Sequence, residues 1–132
     1  MPPLTRTFIK TAMLYFALAL ALGIALALNA GPGLFPVYIH LLVFGWLTQL
    51  IFGVIYWMFP KYSTQLPRGH AWLGWLTYGA LNAGLLLRAL AEPMQAARPD
   101  SLSGALLVVS ALLQWLAGIA FIVNTWQRAK EK

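Results

Sequence analysis

Two side chains stand out in a chain that offers little else for chemistry. His40 lies near the start of an apolar run, PVYIHLLVFGWLTQLIFGVIYWMFP, from Pro36 to Pro60. An ionisable group inside a membrane-length apolar segment is costly, and by default it marks a functional site. At about 100° per helical residue, His40 shares a face with Val43, Phe44, Leu47, Ile51 and Met58. That face is hydrocarbon topped by one nitrogen ligand, a wall suited to a flat apolar macrocycle such as haem. Phe44, Leu47 and the neighbouring Trp46 are the candidate wall residues. The opposite face carries Gly45, Gln49, Gly53 and Tyr56, the small and hydrogen-bonding residues with which membrane helices pack closely.

Arg88 is the second. It falls four residues before Glu92 in another apolar segment, at nearly the depth of His40. Its planar guanidinium suits bidentate capture of carboxylates, including haem propionates. It also suits an i,i+4 pair with Glu92 while snorkelling towards headgroups. The two readings can coexist. Arg98, in the adjoining loop, reads as surface charge. His70 begins a helix at the opposite interface, roughly 18–20 helical residues or about 27–30 Å from the level of His40. The two histidines therefore cannot hold one metal. A ligating His40 takes its partner from water, a substrate or another copy of the chain.

Composition removes most other classes. Of 132 residues, 61% are hydrophobic and 9% charged, against about 25% charged in soluble domains. An integral membrane protein with a single domain is expected. With no cysteine, disulfides, thiolate metal sites and cysteine nucleophiles are excluded. No carboxylate pair, nucleophile with adjacent base or phosphate-cradling glycine loop is present. The three acidic residues all lie outside the apolar runs, which argues against a proton pump or ion-coupled transporter. A net charge of +6 sits at helix ends without interleaved aromatics, so it reports topology and not nucleic-acid binding.

Four segments reach the roughly 20 apolar residues that a spanning helix needs: about 8–28, 37–59, 70–91 and 102–124. The core of the first, Thr11 to Leu28, exceeds the roughly 7–15 residues of a signal peptide, so it reads as a span and not a cleaved leader. Pro60 to Gly69 and Glu92 to Ser101 read as loops, with Asp100 or Ser101 capping the last span. The fold expected is all-α, four transmembrane helices in an up-down bundle or arc. With the N-terminus inside, Arg6, Lys10, Lys61, Arg68, Arg128, Lys130 and Lys132 are cytoplasmic, and only Arg88 and Arg98 are outside. That is the positive-inside pattern, with both termini cytoplasmic. Trp57, Trp72 and Trp126 then form an inner aromatic belt. Gly74, Tyr78 and Asn82, like Ser110, Gln114 and Gly118, form ladders suited to interhelical hydrogen bonds.

The spacing of His40, Gly45-Trp46, Gly53, Tyr56 and Pro60 resembles the second helix of subunit I in haem-copper oxidases, closest to the nitric oxide reductase branch. The match covers about 25 residues; topology and orientation extend it. In that family the second-helix histidine ligates a low-spin haem, and subunit I is built from three four-helix arcs related by approximate threefold symmetry. The resemblance implies that this chain is one such arc and that it binds haem b through His40 with Arg88 on a propionate. It also implies a homo-oligomer, most naturally a trimer, that takes part in electron transfer with a respiratory-chain partner. The copper-binding histidines and cross-linked tyrosine of the family's catalytic half have no counterpart here, so the resemblance does not extend to a terminal oxidase. A bacterial-type inner (plasma) membrane is the expected location. The alternative is a cofactor-free structural or assembly subunit of a membrane respiratory complex; a small-molecule or quinone-binding transporter fragment ranks third.

Overall fold

A computed structural model describes residues 1–31 and 33–131; Pro32 of the first connection and Lys132 of the cationic tail lie outside the described residues. Four long helices account for most of the chain: α1 (Pro3–Ala27), α2 (Leu34–Met58), α3 (Ala71–Ala97) and α4 (Ser101–Thr125). A short 3₁₀ turn, Trp126–Arg128, extends α4. Three of these helices, α1, α2 and α4 with its extension, are long and apolar enough to cross a membrane. Helix α3 is not among them, because it carries Asn82, Arg88, Glu92 and Gln95 within its length.

Helix α1 packs along α2 and α3 along α4, while α2 and α3 join the two pairs. The central core is Tyr15, Ala19, Val37, Leu41, Leu81, Leu85 and Ala117, drawn from all four helices. A second cluster lies towards the opposite end, where Leu4 and Phe8 meet Tyr56. Phe8 sets its ring edge-on to Tyr78 at 5.3 Å, and Phe52 stacks on Phe121 at 3.8 Å. These contacts tie α1 to α3 and α2 to α4.

The predicted packing seam of α2 is buried. Gly45 lies against the Tyr15 ring and Gly53 against the Phe8 Cβ, each so close that an added Cβ would sit 2.7 Å from its neighbour. Gln49 is fully buried between them. Its amide nitrogen donates to the Gly45 carbonyl at 3.0 Å, and its oxygen accepts from Asn82 of α3 at 2.7 Å. Tyr78 joins Thr11 through their hydroxyls at 2.8 Å. Ser110 donates to the Gly84 carbonyl at 2.6 Å. Gln49, Asn82 and Ser110 thus hold helices together, whereas a Cβ added at Gly118 would meet no other element within 4 Å among the described residues.

Two sequence expectations need correction. The segment from Glu92 is not a loop: α3 runs through Pro93 to Ala97 and ends six residues beyond the expected 91. Proline lacks one N–H and normally interrupts a helix. Here the Arg88–Glu92 pair spans the preceding turn, and Gly33 packs directly on the Glu92 carbonyl and Pro93 Cα. Met94, Gln95, Ala96 and Ala97 then continue as good helix formers. The connection shrinks to residues 98–100. Asp100 caps α4 by accepting from the Ser103 N–H at 2.8 Å. That backbone bond, with the Ser103 hydroxyl second, holds its carboxyl below the usual aspartate range. The other correction lies inside α2, where Leu41–Thr48 is π-helical.

Candidate functional site

His40 is the last residue before the π-helical stretch. Wide turns of this kind occur frequently at functional sites, because they re-aim side chains within an otherwise regular helix. The imidazole Nδ1 lies 2.8 Å from the Pro36 carbonyl oxygen. A carbonyl can only accept, so Nδ1 carries the proton and donates it. In the neutral ring Nε2 is then a bare lone pair, the form required of a metal ligand. Metal-bound histidines are held in just this way by a bond on the far nitrogen. Phe44 stacks beneath the ring, with centroids 5.6 Å apart and planes inclined by 27°.

The remaining wall residues divide. Leu47 is exposed, as are Val43 and Ile51, so the apolar face below His40 is an outer surface of the chain. Trp46 instead sets its ring over Phe16 of α1 at 4.5 Å. Its role in this fold is to seat α2 on α1. Thus Phe44 meets His40, Leu47 continues the open face, and Trp46 belongs to the helix contact.

Arg88 is placed at a matching depth. Gly33, one residue ahead of α2, rests on Glu92 and Pro93 of α3. From that contact His40 lies seven residues along α2, about 10 Å, and Arg88 lies four residues back along α3, about 6 Å. The two levels differ by less than a helical turn. Arg88 Nη1 donates to Glu92 Oε1 at 2.7 Å, with both side chains 18% exposed. Among the described residues this is the only ion pair. Arg88 Nε is buried and has no partner among the described residues. The i,i+4 pair is formed, and donor capacity for a carboxylate is left over.

His70 is at the other end. Its backbone N–H donates to Asn124 Oδ1 at 2.9 Å, where α4 finishes. The preceding Gly69 has φ +73°, and an added Cβ would sit against that same Asn124 oxygen. The residue is exposed and serves the α3 start.

One cluster was not singled out from the sequence. Arg128, read from the sequence only as one of the cytoplasmic basic residues, is 1% exposed. Its Nε and Nη2 donate to the carbonyls of Pro60 and Phe59, each at 2.9 Å. Its guanidinium carbon lies 5.8 Å from the centre of the Tyr56 ring. Pro60 was the available signal, because it ends α2 and leaves terminal carbonyls without intrahelical donors. A buried cation seeking those carbonyls has few sources in this chain.

Comparison with protein-family models, with curated proteins and with solved structures finds no significant match. The site therefore stands on its own geometry.

Proposed function

We propose that this chain is a haem b-binding, four-helix integral membrane protein in which His40 is the axial ligand. The observation that carries this reading is the His40–Pro36 bond, which leaves Nε2 bare above an exposed apolar face. Bound haem would supply one-electron redox chemistry, and thereby a role in electron transfer with a respiratory-chain partner. The chain's own residues do the holding. Pro36 fixes the imidazole tautomer, Phe44 supports its plane, and Leu47 with Val43 extends the apolar wall. Arg88 offers its spare N–H groups to a propionate while Glu92 keeps the guanidinium in place. Because the wall faces outward, a second copy of the chain would close it. A homotrimer, following the threefold arrangement of the resembled family, brings neighbouring His40 sites towards one another.

The test is the reduced-minus-oxidised absorption spectrum of protein purified after expression with added haem precursor. A Soret band and b-type α band are expected, unchanged in His70→Ala. A colourless protein that is folded and oligomeric would reject the reading. It would favour the second one, a cofactor-free structural or assembly subunit. What supports that second reading is the internal satisfaction of Gln49, Ser110 and Arg88 Nη1 by other groups of the same chain.

We also infer that all four helices cross a bacterial-type plasma membrane with both termini cytoplasmic. At 27 residues, α3 spans about 40 Å at 1.5 Å per residue. Its hydropathy is lowered by residues such as Tyr78 and Asn82 that bond inward to α1 and α2, which removes them from lipid. Absence of native cysteine makes the check direct. In intact cells an impermeant maleimide is expected to label Ala30→Cys and Pro99→Cys, and to reach Ser63→Cys only after permeabilisation. If Pro99→Cys instead behaves like Ser63→Cys, α3 does not cross.

A further inference from the structure

At the end of the bundle far from His40, α2 finishes, α3 starts and α4 finishes around a cleft of about 760 Å³. Lys61, Arg68, Arg128 and Lys130 line it, four cations against the single carboxylate of Glu131. Arg128 is the anchor. Two of its nitrogens are taken by the Phe59 and Pro60 carbonyls, but Nη1 is buried without a partner among the described residues. Arg68 Nε is likewise buried and, among the described residues, unpartnered. Neither guanidinium pairs with a carboxylate among the described residues. A buried cation left without a counter-charge is strongly disfavoured, so this arrangement is incomplete as it stands. An anion with several acceptor oxygens would satisfy both guanidinium groups at once.

The walls of the cleft point to the kind of anion. Trp57 and Met58 line it beside the cations, and both are exposed at the end of the apolar α2. Charge therefore gives way to hydrocarbon along one continuous surface. A phosphodiester headgroup with attached acyl chains matches that order, since its phosphate meets the arginines and its chains descend past Trp57 and Met58. We propose that this cleft is a binding site for an anionic phospholipid of the leaflet at this end of the bundle. It is independent of His40 and of any haem.

The measurement is thermal stability and lipid retention of the full chain, delipidated in a neutral detergent. Phosphatidylglycerol is expected to raise Tm and to be retained through purification, with the effect weakening as salt rises. Phosphatidylcholine is expected to do neither. Near a membrane surface each basic residue is worth about fivefold in affinity. The double variant R68Q/K130Q should therefore weaken retention about 25-fold while keeping the wild-type helical content. Among the described residues those two side chains make no hydrogen bond that holds the fold together, whereas R128Q also removes the carbonyl contacts and serves only as a second comparison. Equal binding of phosphatidylcholine, or full retention by R68Q/K130Q, would overturn the site. Equal stabilisation by inorganic phosphate alone would overturn the lipid assignment and leave a soluble phosphate as the occupant.

Discussion

His40→Ala is expected to remove the haem absorbance completely while leaving a folded, membrane-inserted protein. The loss should be complete because no other imidazole is within reach: the sequence holds only two histidines, and His70 lies at the opposite end of the bundle, roughly 27 Å away by helical rise. The fold should persist because the side chain's internal attachments are few. It gives one bond to Pro36 O and one face to Phe44. A neutral hydrogen bond of this kind contributes about 0.5–1.5 kcal/mol. The Pro36 carbonyl also keeps its place in the helix after truncation. Far-ultraviolet circular dichroism and gel filtration check the fold, and the pyridine haemochrome spectrum checks the cofactor. A His40→Ala variant that retains stoichiometric haem would overturn the proposed ligation. Arg88→Ala gives a graded comparison, because Arg88 would contact only the periphery of the macrocycle. The signal should survive with weakened retention.

How far the sequence revealed this arrangement depends on the distance over which each feature is decided. The seam of α2 was legible because Gly45, Gln49, Gly53 and Tyr56 recur at helical spacing in an otherwise bulky run, and they are buried together. The Asp100 cap was legible for a similar reason: its partner is three residues away. The π-helical stretch was not. Its flanking residues keep ordinary helical angles, φ −64° at His40 and −66° at Gln49. What accompanies the widened ladder is tertiary, with Gly45 wedged against Tyr15 of α1 and the Gln49 oxygen bonded to Asn82 of α3. Helix α3 past Pro93 was misread because proline is a local stop signal, and the contact with Gly33 comes from about sixty residues earlier. Arg128 was misread in the same way. Its carbonyl partners precede it by 68 and 69 residues, so local composition gave only a charged tail. At the candidate site, residue type marked His40 and Arg88, but the unpaired Arg88 Nε and the proton on His40 Nδ1 are properties of the folded chain alone.

Gly53→Ala should loosen the contact between α1 and α2 and lower the stability of the bundle. The new Cβ would lie 2.7 Å from Phe8 Cβ, 3.5 Å from the Thr5 carbonyl and 3.6 Å from Ile9 Cγ1. Phe8 Cβ is fixed to the α1 backbone, so no rotamer change relieves the contact, and α1 must move away from α2. That movement would strain the Phe8 contacts with Tyr78 and Phe52, which join three helices at this end. Overpacking of this kind costs about 1–3 kcal/mol, partly offset by the roughly 0.5–1 kcal/mol by which alanine improves on glycine in a helix. Gly79 and Gly118 supply the control, since neither has a neighbour within 4 Å of an added Cβ. There the propensity gain is unopposed, and alanine should be neutral or stabilising. Midpoints of thermal or detergent-titrated unfolding should therefore rank Gly53→Ala below wild type and Gly79→Ala at or above it. Gly53 also lies about 20 Å along α2 from His40. A Gly53→Ala protein kept cold enough to stay folded should consequently hold haem with an unaltered spectrum, separating damage to the bundle from damage to the ligand. If Gly53→Ala matched Gly79→Ala in stability, α1 and α2 would not be in contact as described.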